Sequence, residues 1–123
     1  MFEKLKENLN KSYSPYSNFK VSCCVITNDG KEYYGVNVEN RSFGGTICAE
    51  RVAILKAVSE GKTDFKEIHI LGSDKSYPCF ICRQTMQEFF DKNVKIFIYD
   101  NNGIFEKLSM DEVCPFPFDG VLQ

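Results

Sequence analysis

Three cysteines stand at positions from which they could share one metal ion. Cys48 lies two residues before Glu50, while Cys79 and Cys82 form a C-x-x-C pair that follows Pro78. Each group precedes a stretch with helical spacing of apolar residues, and a helix N-terminus stabilises a thiolate through its free N–H groups and its dipole. Two helix N-termini that meet would offer three thiolates to one cation. Zinc prefers thiolate sulfur in a tetrahedral site, so this pattern indicates zinc, one ion per chain.

Three protein ligands leave one tetrahedral position open for water, which is typical of catalytic rather than structural zinc. Glu50 is close in sequence to the first ligand, so it is placed to exchange protons with that water without being a ligand. Arg51 and Arg83 follow ligand-bearing segments and are candidates for hydrogen bonds to sulfur, which would offset the charge of three thiolates. A C-x-x-C pair taken alone is weak evidence for a metal site, because a redox pair or chance also explains it.

The elements that would position these residues follow from hydrophobic periodicity and turn signals. Apolar residues at helical spacing predict a first helix near the N-terminus, and an Asn-Asp-Gly turn predicts a hairpin. The predicted elements are a helix containing Phe2, Leu5 and Leu9, strands over 19–27 and 32–38, a helix over 48–61, a strand over 68–71, a helix over 79–92, strands over 94–99 and 104–105, and a short helix over 109–113. This order predicts a three-layer α/β fold with a mixed central sheet of about five strands and helices on both faces.

Length and charge exclude several function classes. The 123 residues predict one domain, 1–123. Fifteen basic against seventeen acidic residues give a net charge of −2, which offers no cationic surface to nucleic acid or to an anionic membrane. No apolar run approaches about 18 residues, and the first residues carry no secretory signal, so we expect a cytoplasmic protein whose six cysteines are thiols or metal ligands.

The remaining reactive residue types have structural explanations. His69, the single histidine, lies between two isoleucines and is predicted to be a strand residue rather than a metal ligand. Cys23, Cys24 and Cys114 are predicted to be small apolar packing residues.

Four stretches of the chain, in order, match the motifs of one family. They are Tyr13–Val21, Asn37–Asn40, Cys48–Arg51 and Pro78–Gln84. On these motifs the chain resembles the small homotetrameric cytidine deaminases that act on free nucleosides, over nearly its whole length from Ser12 to Phe118. The resemblance implies the fold of that family, a zinc cofactor and a homotetramer with shared active sites. The expected partner is a small nucleoside substrate, and we expect no nucleic-acid and no membrane partner.

The resemblance also implies a role for each matching residue. It makes Cys48, Cys79 and Cys82 the zinc ligands and Glu50 the proton shuttle. It places Phe19 against the pyrimidine, Asn37 and Glu39 on the ribose hydroxyls, the backbone around Ala49 against the base, and Phe118 over the base in a neighbouring subunit's site.

Three of these residues also have simpler explanations, and the chain departs from the family pattern at Phe80 and in its short C-terminus. Phe19 could be a core residue, and Asn37 and Glu39, two residues apart on a predicted strand, could form a solvated edge. Phe80 replaces the family's usual glycine, and we expect its ring to pack on an apolar partner at the substrate mouth or in a neighbouring subunit. The short C-terminus makes the match at Phe118 the weakest of the set.

The resemblance implies hydrolytic deamination of cytidine and 2′-deoxycytidine, with attack of zinc-bound hydroxide on carbon 4 of the base and release of ammonia. One alternative is a deaminase of a modified cytosine nucleoside such as blasticidin S, which need not keep Asn37 and Glu39. The other is a non-catalytic zinc-binding domain, which gives no reason for Glu50 or for the missing fourth ligand.

Overall fold

A computed structural model describes residues 1–120 and contains the nine helices and strands in the predicted order. They are α1 (Phe2–Asn8), β1 (Val21–Thr27), β2 (Glu32–Val36), α2 (Ala49–Ser59), β3 (Phe65–Gly72), α3 (Phe80–Phe89), β4 (Lys95–Tyr99), β5 (Phe105–Leu108) and α4 (Met110–Val113). Short 3₁₀ helices follow α1 at Leu9–Lys11 and lie within the loop after β2 at Phe43–Gly45.

The five strands form one mixed sheet in the order β2-β1-β3-β4-β5. The pair β3–β4 is parallel and the other three pairs are antiparallel. Parallel neighbours need a long crossover connection, and α3 supplies it. The predicted mixed sheet of about five strands is therefore confirmed.

Two hydrophobic clusters cover the two faces of the sheet. On one face, alternate residues of β1 pack against the buried side of α2 and α3, where Ala53, Ile54 and Met86 are fully buried. On the other face, Leu5 of α1 packs with Cys24 and Leu71. Helices thus lie on both faces, as the element order predicted. Cys23, Cys24 and Cys114 all pack in these clusters, which confirms their structural interpretation.

β1 and β2 are each two residues shorter than predicted, and both differences lie at the candidate site. β1 begins at Val21 because Asn18 has a left-handed backbone with φ of 58°, which breaks the extended chain before Phe19 can join the sheet. β2 ends at Val36, and Val38 instead forms isolated bridges with Tyr13 and Ile47. The segments that carry Phe19, Asn37 and Glu39 therefore lie outside the regular sheet.

Two glycines set the position of α2. Gly61 follows the helix with φ of +83°, and the N–H of Lys62 returns to the carbonyl of Ala57, which ends the helix. Gly35 lets β2 approach the first turns of α2, because a Cβ there would lie 2.7 Å from the Ala49 carbonyl oxygen and 2.6 Å from the Ala53 nitrogen. Close contact between β2 and α2 thereby fixes the N-terminal end of α2.

His69 is a buried strand residue, as predicted, and belongs to a polar network on the α1 face. Its Nδ1 lies 2.7 Å from Tyr99 Oη and its Nε2 lies 2.8 Å from Glu67 Oε1. The ring stacks on Phe97 with centroids 4.5 Å apart. Burial lowers the pKa of His69 despite the opposing effect of Glu67.

This lowered pKa predicts a pH dependence of stability. A buried neutral histidine takes up its proton more readily in the unfolded chain, so the contribution of His69 to the free energy of unfolding should fall as pH falls below about 6.5. The variant His69→Gln cannot titrate and should lose this part of the slope. Urea unfolding of both proteins between about pH 7.5 and 5.5 measures it. Parallel curves for the two proteins would contradict the prediction, whatever the absolute stability of the variant.

Candidate active site

The N-termini of α2 and α3 bring three cysteine sulfurs together. Cys48 and Cys79 are the residues immediately before the two helices, and Cys82 lies in the first turn of α3. The sulfurs of Cys48 and Cys79 are 3.7 Å apart, and all three sulfurs lie within 4.8 Å of one another. Zn–S bonds of about 2.3 Å in a tetrahedron place neighbouring sulfurs about 3.8 Å apart. The cluster therefore fits a zinc ion, and within residues 1–120 no second group of three metal-ligating side chains is this close.

The surroundings of Cys48 favour the thiolate that metal binding requires. Hydrogen bonds from Cys82 and Arg51 lower the pKa of Cys48 to about 5. The same Cys48–Cys82 hydrogen bond, together with burial, raises the pKa of Cys82, so that Cys82 is the donor of the pair. The Sγ of Cys79 accepts from the backbone N–H of Cys82 at 3.5 Å and so caps α3.

The two arginines expected beside sulfur have different partners. Arg51 lies beside the cluster, with Nη2 3.5 Å from Cys48 Sγ and 3.4 Å from the Thr46 carbonyl oxygen. Arg83 does not donate to sulfur: its Nε donates to the Pro78 carbonyl at 2.7 Å and its Nη1 to the Val113 carbonyl at 2.9 Å. These two backbone acceptors take the guanidinium away from the cluster, so Arg83 supports the turn that carries Cys79 rather than the charge of the thiolates.

Glu50 is a buried carboxyl group beside the sulfur cluster. It lies in the first turn of α2 and is 4% exposed. Burial raises the pKa of Glu50 to about 7, and the neighbouring Cys48 thiolate acts in the same direction. A carboxyl group with a pKa near neutrality can both take up and release a proton at working pH, which is what a general acid–base residue requires.

A cavity of about 250 Å³ opens beside the cluster. It brings the predicted catalytic, metal-binding and substrate residues into one place, with the exceptions of Cys82, which is fully buried, and Phe118. The predicted residues that line it are Phe19, Asn37, Glu39, Cys48, Ala49, Glu50 and Cys79. Phe19 is 37% exposed, so it is not the core residue that its apolar type also allowed.

Glu39 is held in the cavity wall by the turn that precedes Phe19. Its Oε1 accepts from the backbone N–H groups of Tyr16 at 2.9 Å and Ser17 at 3.1 Å, and its Oε2 accepts from the Ser17 hydroxyl. The Ser17 hydrogen bond is the main cause of the lowered pKa of Glu39. A carboxylate has about four acceptor positions, so one remains for a ligand hydroxyl.

The side chain of Asn37 holds the backbone on the other side of Phe19. Its Oδ1 accepts from the Val21 N–H at 2.9 Å and from the Ser12 hydroxyl at 2.5 Å, and its Nδ2 donates to the Phe19 carbonyl at 2.7 Å. The amide can make one further donation through Nδ2. Asn37 and Glu39 together therefore fix the segment that carries Phe19.

Two of the aromatic residues discussed above lie away from this cavity. Phe118 is 76% exposed and does not line it. Phe80 is 82% exposed, and the central carbon of the Arg83 guanidinium lies 4.9 Å from its ring centroid. Phe80 therefore does not lie at the mouth of this cavity, and its packing against a neighbouring subunit stays a prediction.

Sequence reasoning missed four polar or aromatic residues of the cavity wall. They are Ser17, Thr46, Ser76 and Tyr77. Ser17 lies inside the first matching motif, two residues before Phe19, and that proximity is the one signal that could have found it. Ser76 and Tyr77 reach the cavity only because the chain turns back between β3 and α3.

Comparison with known proteins agrees with the zinc site that the three cysteines form. Residues 1–98 match the family model described as the cytidine and deoxycytidylate deaminase zinc-binding region. A cytidine deaminase of Mycoplasma genitalium is 39% identical over 116 residues, covering 92% of this chain and 88% of the relative. One of Halalkalibacterium halodurans is 37% identical over 109 residues, covering 87% and 83%.

A solved structure gives the same picture at the level of the fold. The crystal structure of a cytidine deaminase from Burkholderia pseudomallei superposes with a TM-score of 0.87 at 37% identity, covering 94% of each chain.

Proposed function

Since the chain belongs to the family of zinc-dependent cytidine and deoxycytidylate deaminases, we propose that it hydrolyses cytidine and 2′-deoxycytidine to uridine and 2′-deoxyuridine with release of ammonia. The observation that carries the proposal is the position of Glu50, a buried carboxyl group that shares one cavity with the sulfur cluster and with Phe19. A structural zinc site has no use for such a group.

In the proposed reaction, Glu50 moves the protons. A zinc ion held by the three sulfurs supplies the polarisation that makes water a nucleophile near neutral pH. Glu50 takes a proton from the attacking water as the C4–O bond forms, and delivers it to ring nitrogen 3. It then carries the second proton to the exocyclic amine, the C4–N bond breaks, ammonia leaves and the C4 carbonyl remains. The raised pKa of Glu50 suits both directions of transfer.

The substrate is held by groups on both sides of the cavity. Phe19 packs on the pyrimidine, and the backbone around Ala49 contacts the base. The remaining acceptor position of Glu39 and the remaining Nδ2 hydrogen of Asn37 suit a ribose hydroxyl, which both donates and accepts.

Removal of the Glu39 carboxylate tests the ribose contact. Glu39→Ala is expected to lower kcat/KM for cytidine by about ten- to a hundred-fold, because a charge-assisted hydrogen bond to the sugar is lost. Zinc content should not change, since Glu39 contacts none of the three sulfurs. Steady-state kinetics and metal analysis measure the two quantities.

A Ser17→Ala variant is the matched control. It removes the hydroxyl that donates to Glu39 Oε2 but leaves the two backbone N–H donors on Oε1. Its kcat/KM should fall far less than that of Glu39→Ala. Unchanged cytidine kinetics in Glu39→Ala would remove the ribose assignment and favour the modified-nucleoside alternative.

A panel of substrates tests the reaction itself. Cytidine, 2′-deoxycytidine, cytosine and blasticidin S, assayed with the purified zinc-loaded protein, distinguish the nucleoside deaminase from the blasticidin-type alternative. Preference for the two nucleosides supports the proposal. Turnover of none of them, with zinc bound, would favour a non-catalytic zinc-binding domain.

We also propose a homotetramer with shared active sites in which Phe118 of a neighbouring subunit covers the base. Large exposed aromatic side chains on and beside α3 support an interface there, since Phe80, Phe116 and Phe118 are 82%, 94% and 76% exposed. Light scattering coupled to size exclusion measures the mass of the assembly.

We propose a cytoplasmic location and no nucleic-acid partner, because the net charge of −2 offers no cationic surface. In the described part of the chain no helix is long and apolar enough to cross a membrane.

A further inference from the structure

The segment that follows α4 is tied to α3 by two consecutive residues. Arg83 Nη1 donates to the carbonyl of Val113, the last residue of α4, at 2.9 Å. Gln84 contacts the backbone of Phe118, five residues further along the chain. Arg83 and Gln84 come directly after Cys82, so the C-terminal segment is held by the same part of α3 that carries a ligand of the metal site.

The contact of Gln84 with Phe118 uses both ends of the amide. Its Nε2 donates to the Phe118 carbonyl at 2.7 Å, and its Oε1 accepts from the Phe118 N–H at 2.9 Å. Phe118 lies outside regular secondary structure, and in the described residues its backbone has no other hydrogen-bond partner. One side chain thus supplies the pair of bonds that a neighbouring strand would supply. Pro115 and Pro117 restrict the chain just before it.

The ring of Phe118 is left largely exposed by this contact, and its neighbour within the chain is Gly120, where a Cβ would lie 2.0 Å from Phe118 Cζ. Phe118 is 76% exposed, and the active-site cavity of its own chain is lined without it. Ordering an exposed backbone costs conformational entropy, and the two hydrogen bonds of Gln84 offset that cost while they leave the ring accessible to a second copy of the chain.

We propose that Gln84 is a positioning residue, which holds the Phe118 backbone so that the ring reaches the active site of a second copy of the chain. This inference rests on the proposed function, in which Phe118 covers the base in a neighbouring subunit. Gln84 itself contacts no substrate. It acts through Phe118 and sets the position of the ring relative to its own α3.

Substitution of Gln84 is expected to change substrate binding rather than chemistry. Gln84→Ala should raise KM for cytidine about ten-fold and change kcat by less than about two-fold, because a ring packed on the base binds ground state and transition state alike. Gln87→Ala is the matched control, since Gln87 is an exposed glutamine of the same helix with no side-chain hydrogen bond in the described structure, and its kinetics should match wild type.

A double-mutant cycle separates positioning from general destabilisation. Phe118→Ala should raise KM to a similar extent, and Gln84→Ala in the Phe118→Ala background should add little. Full additivity of the two substitutions would overturn the proposal. A KM for Gln84→Ala equal to that of wild type and Gln87→Ala would do the same.

Mixed assemblies test whether the effect passes between copies. Co-expression of Gln84→Ala chains, which keep Glu50, with Glu50→Gln chains, which keep Gln84, should give mixed oligomers whose KM falls toward wild type. A KM that stays at the Gln84→Ala value in purified mixed oligomers would contradict action in a second copy.

Hydrogen exchange keeps this inference distinguishable from the proposed function. The Phe118 amide should exchange more slowly in wild type and Gln87→Ala than in Gln84→Ala, whatever the enzyme turns over. If the wild type does not turn over cytidine but its Phe118 amide exchanges slowly, the proposed reaction is contradicted and the backbone contact of Gln84 is supported. Equal exchange in all three proteins would show that Gln84 does not hold Phe118.

Discussion

The variant Glu50→Gln is expected to lose about 10²- to 10⁴-fold in kcat for cytidine while keeping one zinc per chain. Glutamine has nearly the same shape and can still form hydrogen bonds in the cavity, but it cannot accept or release a proton. The loss should lie toward the upper end of this range, because the proposed reaction uses Glu50 in more than one proton transfer. Single-turnover kinetics and metal analysis of the same preparation measure the effect.

A measurement of the thermal stability of Glu50→Gln tests whether the expected loss of kcat comes from the chemistry or from unfolding. Glu50 is 4% exposed and burial raises its pKa, so its charged form is unfavourable in the folded chain. A neutral glutamine should leave Tm unchanged or higher. Glu7→Gln, which changes an exposed carboxylate of α1, is the control and should keep full activity. Retention of more than about a tenth of wild-type kcat by Glu50→Gln would exclude Glu50 as the proton shuttle.

Much of this arrangement could be predicted from local sequence. Apolar periodicity predicted the order of all nine elements, and the Asn-Asp-Gly turn predicted the β1–β2 hairpin. The ligand cysteines were predictable because Cys48 and Cys79 each directly precede a helix, which is a local property of the sequence. The ligand cysteines meet because the β3–α3–β4 crossover places the start of α3 beside that of α2.

The partners of individual side chains could not be predicted in the same way. Arg83 follows a ligand directly, yet its donors go to the carbonyls of Pro78 and Val113. Val113 is far away in sequence, and only the packing of α4 brings its carbonyl within reach. The contact of Gln84 with Phe118 is missed for the same reason, since both residues were visible in the sequence but their pairing depends on the path of the chain after α4.

The extent of the strands at the site also depends on tertiary contacts. Residues 19–27 have strand-forming composition throughout, yet the left-handed backbone at Asn18 keeps Phe19 out of the sheet. Hydrogen bonds of Asn37 with both Phe19 and Val21 then hold the end of this segment. Two polar side chains from another part of the chain, Asn37 and Glu39, thus turn an apparent strand residue into a wall of the cavity.

The second large effect is expected from the metal ligands. Cys79→Ala should lose zinc and activity together, because two thiolates are a poor tetrahedral site. Even partners outside the ligand set are worth about 10- to 100-fold in metal affinity, so loss of a ligand should cost more than about 100-fold. Zinc content after dialysis against a weak chelator and kcat/KM for cytidine should fall in parallel.

Cys79 also caps α3, so the metal effect must be separated from a helix effect. Cys79→Ala removes the sulfur that accepts from the Cys82 N–H, a loss of about 1 kcal/mol, whereas Cys79→Ser keeps a capping acceptor without thiolate sulfur. Both variants should lose zinc, and Cys79→Ser should unfold at the higher temperature of the two. Cys114→Ala, which changes a half-buried cysteine outside the cluster, should keep zinc and activity. If Cys79→Ser kept its zinc, or if Cys114→Ala lost it, the assignment of the three-sulfur site would be wrong.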